Sequence, residues 1–410
     1  MDFSFTHSSQ QGCNASNLGI RTDAPDTGSY TVQGLILEVT GMAAATPWIG
    51  TATTVVPKLR TTGGRRILRP PLYYCQMARR VHGGGGKYVL FDPKHVNWRA
   101  GRVDGWVPTD PTLPLGPWQR THTPLPDAIY ENVFVHLAVK GYSSNLRKMS
   151  RVHGITLFNP PLPDKWRVMK LLNGPEVRQY VPETLRLTDV EGAIRRIQRW
   201  RVAYIKPIGG YGGMGVTRVE AQDGDRYRVS LDRTKTRIGT SRRYLTKPQL
   251  RAWLKARSRH PYLVQQGISL LTFGERKVDF RVVCQRGRHG EWHLVGVVPK
   301  LAAKDGVVSN IIAGGSLVSI AECQELARRY GKTVPVRELE ESGLALARAI
   351  GERHPNAGII GFDLGVDEGG RVWMIEANPK PARALLNADA RRRSAELNAD
   401  FALYLASRRR

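Results

Sequence analysis

Cysteine is scarce in this chain, and acidic residues are heavily outnumbered. Its 410 residues include four cysteines, Cys13, Cys75, Cys284 and Cys323, far apart and without a Cys-x-x-Cys pair. That argues against a disulfide framework and a zinc ribbon, and a reducing, cytoplasmic setting is the expectation. No apolar run reaches the roughly 18 residues of a membrane span. The opening residues MDFSFTHSSQQGC lack the basic-then-apolar order of a secretory signal. Neither membrane insertion nor export is therefore expected. Asp and Glu number 35 against 62 Lys and Arg, a formal charge of +27. Such a surplus calls for anionic partners, and nucleotide phosphates, nucleic acid or an acidic polymer would satisfy it equally. With 41% hydrophobic and 24% charged residues the composition is globular, and the length suits roughly two to three domains.

Residues 1–30 are polar and without period, and read as a loose leader, partly disordered. Residues 31–150 alternate short apolar runs with turn signals, as a small α/β domain does. Examples are Lys87–Phe91 and Ala128–Val133, with a short helix at Tyr73–Val81. The stretch Pro108–Pro126, dense in proline and threonine, reads as an extended connection. From 151 to 405 the elements are longer and better marked. Helices are expected at Glu191–Arg201, at Lys247–Ser258, after the capping-box spacing Ser319-Ile320-Ala321-Glu322, and at Val336–Ile350 with Gly351 as its stop. Strands Ile359–Val366 and Arg371–Asn378, joined by Asp367-Glu368-Gly369-Gly370, read as a hairpin.

Two places carry chemistry. The first is a glycine loop, Gly209 to Gly215, between a strand ending at Lys206 and another strand, Val216–Glu220. A following strand instead of a helix excludes a dinucleotide-binding Rossmann turn, and no Gly-Lys-Ser/Thr follows to make a Walker loop. Glycines let a backbone approach a polyphosphate closely and Lys206 would neutralise its charge; a plain hairpin tip is the other reading. The second place is Phe362-Asp363-Leu364-Gly365 followed by Trp373 to Lys380. Strand alternation puts Glu376 and Asn378 on one face, with Asp363 opposite them, and Trp373 and Ile375 on the other face. Two carboxylates and an amide oxygen suit Mg²⁺ or Mn²⁺; a solvated face paired with Lys380 and Arg383 is the alternative. His289 and His293 flank a turn glycine, not a helix, and are not read as a metal site. Trp166, Trp200, Trp253 and Trp373 read as core or helix-face residues.

These places are the ends of an ordered set of motifs. It comprises Asn159-Pro160, Asp164-Lys165-Trp166, Val181-Pro182-Glu183-Thr184, Ile205-Lys206-Pro207, Leu263 to Ile268, Asp279-Phe280-Arg281-Val282, Ser309-Asn310 with Gly314-Gly315, and Glu376-Ala377-Asn378-Pro379-Lys380-Pro381. Together with Pro124 to Tyr130 upstream, the set resembles the YheC/YheD-like endospore coat-associated proteins of the ATP-grasp superfamily over about residues 85–405. The resemblance implies an α/β (α+β) fold with two lobes around ATP, a glycine-loop lobe at about 185–262 and a metal-binding lobe at about 263–405, after a small α/β pre-ATP-grasp-like domain. It implies that Lys165 and Lys206 hold the phosphates, with Gly210, Tyr211, Gly212, Gly213 and Gly215 forming a flap over them. Gln265, Gln266 and Ile268 match the hinge that reads adenine. Asp363, Glu376 and Asn378 match the ligands of Mg²⁺ or Mn²⁺. The resemblance further implies that Arg281 and Lys300 face the transferred phosphoryl group and that Asn310 shapes the acceptor pocket.

The activity so implied is an ATP- and Mg²⁺-dependent carboxylate–amine ligase linked to endospore coat formation. Its carboxylate donor and amine acceptor are unknown, a peptide or an acidic polymer being candidates. A catalytically weak ATP-binding coat protein is the alternative. A third reading, nucleic-acid binding, rests on residues 226–259, which hold twelve Lys or Arg and one acid, Asp232. That segment is either a solvated basic surface or a docking face for a polyanion, and no nucleic-acid-binding motif accompanies it.

Overall fold

The structure is a computed structural model and describes residues 45–133, 141–209, 214–233, 238–302 and 315–408. The leader, Gly210, Tyr211, Gly212, Gly213 and Asn310 lie outside the described residues. The unit Thr46–Arg410 contains three large sheets, each with helices packed on it.

The chain begins with β1 (Trp48–Ala52), a basic hairpin of β2 (Lys58–Thr62) and β3 (Arg65–Arg69), and helix α1 (Leu72–Gly83). It continues through β4 (Lys87–Phe91), β5 (Val96–Asn97), β6 (Arg102–Pro108), β7 (Trp118–Pro124), β8 (Ala128–Glu131), α2 (Tyr142–Val152) and β9 (Thr156–Phe158). Seven of these strands form the first sheet, ordered β5-β6-β4-β1-β8-β9 with β7 beside β6. Its middle is parallel, β1 pairing with β4 and β8, and β8 with β9. Here the connection expected at Pro108–Pro126 is corrected, because it contains β7. The antiparallel ladder runs from Arg102 opposite Pro124 to Pro108 opposite Trp118. The prolines stand at its ends, where no internal ladder N–H is lost, and Gln119–Thr123 between them pair normally.

Helices α3 (Lys165–Leu171) and α4 (Pro175–Arg178) lead into the second sheet. This comprises β10 (Thr184–Arg186), β11 (Val202–Pro207), β12 (Thr217–Ala221), β13 (Arg226–Arg233), β14 (Ile238–Thr246) and β15 (Tyr262–Gln266), with α5 (Val190–Trp200) and α6 (Lys247–Ser258) between them. The strand order is β10-β15-β11-β12-β13-β14. Asp189 caps α5 by accepting from the Gly192 N–H at 3.0 Å, so Ala193, Ile194 and Ile197 turn inward. They meet Leu250 and Leu254 of α6 and Ala203, Ile205, Val219 and Val229 of the sheet in one core. The other sheet face carries the polar alternates.

The third sheet takes β16 (Thr272–Phe273), β17 (Arg276–Arg286), β18 (Trp292–Leu301), β19 (Ser316–Leu317), β20 (Ile359–Val366) and β21 (Val372–Asn378). Their order is β19-β18-β17-β20-β21, with β16 on β17. Helix α7 (Ile320–Arg329) starts at the expected capping box, Ser319 Oγ accepting from Glu322 N at 3.1 Å and Ser319 N donating to the Glu322 carboxylate at 2.6 Å. The next helix, α8 (Val336–Arg353), runs past Gly351 rather than stopping there. A Cβ on Gly351 would lie 2.6 Å from the Arg286 guanidinium and 2.7 Å from the Trp292 indole nitrogen. The glycine therefore serves close helix–sheet packing, not termination.

The last helix, α9 (Ala388–Ser407), lies against α1, β1, β8 and β9 of the first sheet and also against β17 and β18 of the third. Buried Gln285 of β17 exchanges two 2.8 Å hydrogen bonds with Ser394 of α9. Phe401 packs edge-on against Phe158 at 5.3 Å. Cys75, Cys284 and Cys323 are buried free thiols, and Cys13 lies outside the described residues. No helix among the described residues is long and apolar enough to cross a membrane.

Phe401 has no exposed surface and packs in one core with Phe158 and α1. Phe401→Ala should therefore cost about 3–5 kcal/mol in urea unfolding; a loss below about 1 kcal/mol would show that α9 is not part of the core.

Candidate functional site

A cavity of about 720 Å³ lies between the second and third sheets and is reached by α3 and by the segment after β21. Its size is that of a small-molecule site. Lys165, Lys206, Gln265, Gln266, Ile268, Arg281, Lys300, Asp363, Glu376 and Asn378 all line it. Gly215 does not, although its neighbours Met214 and Val216 do; it turns the chain into β12 with φ +74°.

On one side stand the lysines. Asp164 caps α3, accepting from the Arg167 N–H at 3.0 Å, which fixes Lys165 in the first turn. The Lys165 ammonium lies 3.2 Å from Glu376. Lys206 projects from β11 beside the Tyr204 ring and donates to the Gln265 side-chain oxygen at 2.5 Å. Gln265 is buried and passes the chain of bonds on to Thr184 Oγ at 3.0 Å. Burial pushes the Lys206 ammonium down to about 8, an effect that the Glu376 charge opposes and Lys165 reinforces.

Opposite them is a buried network of charges on β17, β18 and β20. Register places Arg281 beside Asp363 and Asp279 beside Lys300. Arg281 grips Asp363 with two bonds, at 2.9 and 3.0 Å. Lys300 reaches Asp363 at 2.8 Å and Asp279 at 2.9 Å. Burial alone would raise the Asp363 carboxyl, but the two cations hold it down to about 2. Asp279 pairs with Lys300, but burial, reinforced by the Asp363 charge, pushes its carboxyl upward.

The alternation expected on β21 is corrected. Asp363 stands opposite Glu376, but Leu364 stands opposite Met374, so the strand bulges at Ile375. One extra residue reverses the side-chain parity. Val372 and Met374 enter the core, while Trp373 and Ile375 line the cavity together with Glu376 and Asn378. Trp373 is thus a wall of the site, and its indole N–H donates to Asp367 at 2.8 Å. Nor are the acids neutralised by Lys380 and Arg383. Lys380 donates to the Val133 carbonyl at 2.8 Å and approaches buried Glu131 at 3.5 Å, and Arg383 lies over the Tyr73 ring at 4.0 Å. Buried Asn159, with left-handed φ of +62°, clamps this segment by donating to the Pro379 carbonyl at 2.8 Å and accepting from Ile359 N at 3.0 Å.

The sequence pattern described as YheC/D like ATP-grasp matches residues 154–405. The chain belongs to this family. The chain is 25% identical to the endospore coat-associated protein YheD of Bacillus subtilis (strain 168), an alignment covering 77% of this chain and 69% of that protein. It is 23% identical to YheC of the same organism over 76% of this chain and 85% of that one. Among solved structures, the ATP-grasp ligase PsnB complexed with precursor peptide PsnA2 and AMPPNP matches with a TM-score of 0.46 and 12% identity, over 88% of this chain and 98% of PsnB. The family read from the ordered motifs is therefore the right one, and the ATP-grasp span contains all ten cavity residues named above.

Among the polar residues lining this cavity, sequence reasoning gave no site role to Asp279, Lys277 or Tyr204, nor to Asp164 and Lys380. For the first three the signal was alternation. Lys277 and Asp279 precede Arg281 by four and two residues on one strand, and Tyr204 precedes Lys206 by two on another. As a metal-binding set, Asp363, Glu376 and Asn378 supply three hard oxygen donors on paired strands, which fits a divalent ion of the Mg²⁺ kind. Among the described residues no three His, Cys, Asp or Glu side chains form such a group; the third donor would be the Asn378 amide.

Asp363 balances two buried cations, so Asp363→Asn should cost about 3–5 kcal/mol in urea unfolding at neutral pH. The stability due to this carboxylate is complete above its ordinary value of 3.8 and is lost as pH falls toward 2. The variant should lack that acid limb, and an unchanged acid limb would refute the assignment.

Proposed function

We propose that this chain is an ATP- and Mg²⁺-dependent ligase that activates a carboxylate and joins it to an amine. The observation that carries the reading is the convergence of Lys165 and Lys206 with Asp363, Glu376 and Asn378 around one cavity. Lys165 and Lys206 bind the phosphates as point charges. Backbone and side-chain groups from Gln265 to Ile268 read the adenine edge. Arg281 and Lys300 face the phosphoryl group in transfer and stabilise charge on its oxygens. Mg²⁺ or Mn²⁺, held by Asp363, Glu376 and Asn378, would supply charge neutralisation to the β- and γ-phosphates.

The donor carboxylate attacks the γ-phosphorus, the bond to the bridging oxygen breaks, and ADP leaves with its electron pair. The resulting acylphosphate is attacked at carbon by the amine. Phosphate departs and the nitrogen loses a proton, leaving an amide. The protein's part is positioning and electrostatics, which is why the site carries cations and oxygen donors and needs no protein nucleophile. The coat-associated names of YheD and YheC support a donor or acceptor among the polymers assembled around a spore.

Incubation with MgATP and candidate carboxylates and amines should yield ADP only when an acceptor is present. Nucleotide binding without acceptor-dependent ADP would instead mark a non-catalytic ATP-binding coat component. Glu376→Ala should weaken MgATP binding at least tenfold in calorimetry, and full affinity would sink the metal assignment.

Lys206 is charged below about 8 and neutral above it. MgATP affinity should therefore fall roughly tenfold between about pH 7 and pH 9, since a charge-assisted bond contributes about 1.5–3 kcal/mol. Lys206→Ala should bind more weakly at pH 7 and show no such dependence; a parent curve flat across this range would remove Lys206 from the phosphate site.

A further inference from the structure

The basic stretch 226–259 has a specific geometry that the ligase reading does not use. On the face of the second sheet opposite α5 and α6, register lines up two rows across four strands. One runs Tyr204, Arg218, Ser230, Arg242, and the other Val202, Glu220, Arg228, Tyr244. The first row begins at a wall of the cavity, since Tyr204 lines it. It ends on β14, which among the described residues pairs only with β13 and is an edge strand.

The charge on this face is unequally balanced. Glu220 is shared by Arg218 and Arg228. Arg226 and Arg242 are exposed, and among the described residues no ion pair reaches either of them. Between Arg242 and the Thr246 end, Tyr244 is 66% exposed. β14 spans nine residues without a proline, so it presents a long row of unpaired backbone N–H and C=O groups beside a cationic face.

We propose that β14 docks an extended acidic polypeptide, added as a further strand with its carboxylates toward Arg226, Arg228 and Arg242. On the ligase reading above, on which this rests, that polypeptide is the substrate whose carboxylate enters the cavity. The four strand spacings from the added strand to β11 amount to about 19 Å, which an extended segment of roughly six residues crosses. A polypeptide is favoured over a nucleic acid because only a polypeptide uses the edge: its backbone completes the ladder, whereas a phosphodiester chain would meet the arginines alone.

The test uses the full chain without nucleotide and a fluorescein-labelled ten-residue peptide of alternating Glu and Thr, titrated by fluorescence anisotropy. The Glu peptide should bind at least tenfold more tightly than its Gln counterpart. Arg226→Glu with Arg242→Glu should cost at least tenfold while leaving the melting temperature and its rise with MgATP unchanged. Should that double variant fail to fold, Arg242→Gln alone should cost about threefold. N-methylation of alternate peptide nitrogens, which blocks the ladder but keeps the charge, should also cost at least tenfold. Indifference to the arginine variants or to N-methylation would overturn the proposal. So would tighter binding of a ten-nucleotide single-stranded DNA with the same sensitivity to the variants. In a parallel incubation with MgATP and an amine, peptide binding without any ADP formation would refute the ligase reading while leaving the docking intact.

Discussion

The carboxylate of Asp363 is the point on which the rest of the site depends. It accepts two bonds from Arg281 and one from Lys300, and Lys300 in turn holds Asp279. These groups lie on three adjacent strands, so the network also fixes how β17, β18 and β20 present their polar alternates. Buried ion pairs add little net stability because desolvation offsets attraction, yet removing one partner leaves an uncompensated charge. A network of this kind is retained for what it positions. Here it keeps two cations and two carboxylates on a cavity wall within a sheet whose other face packs on α8.

Support for that wall comes from far away in the chain. Asn159, at the end of β9, adopts a left-handed backbone and uses its side-chain amide to clamp Pro379 and Ile359. Lys380 reaches back to Val133 and Glu131 at the end of β8. Helix α9 then packs on both the first and third sheets. Gly361, opposite Asn378, permits this closeness, since a Cβ there would fall 2.7 Å from Pro381. The parallel part of the first sheet is thus a foundation for the segment that carries Glu376 and Asn378.

Much of the site was legible from local pattern. Lys206 ends a strand before glycines, and Asp363, Glu376 and Asn378 sit on a hairpin marked by Asp367 to Gly370. Lys165 came only from the family resemblance, its Asp164 cap not being read from the sequence. Where reading by alternation failed, a non-local reason is visible. The bulge at Ile375 cannot be seen in β21 alone, because it is a mismatch between two strands. It turned Trp373 from an expected core residue into a cavity wall. Gly351 looked like a helix stop because its close neighbours, Arg286 and Trp292, lie some sixty residues away in sequence. β7 was taken for a connection because proline density hid a strand whose ladder with β6 has its prolines, Pro108 and Pro124, at opposite ends.

By itself, the sequence determined the family, the order of the motifs and the chemical kinds of side chain available, since these depend on residue type and spacing. Tertiary structure alone decided how those side chains are partnered. It gave Asp363 to Arg281 and Lys300, and drew Lys380 and Arg383 away from the acids toward Glu131 and Tyr73. It also turned a scattered surplus of arginine into rows across one sheet face. The physical reason is that charges act over a few ångströms of space whatever their separation in sequence, and cross-strand register sets those few ångströms.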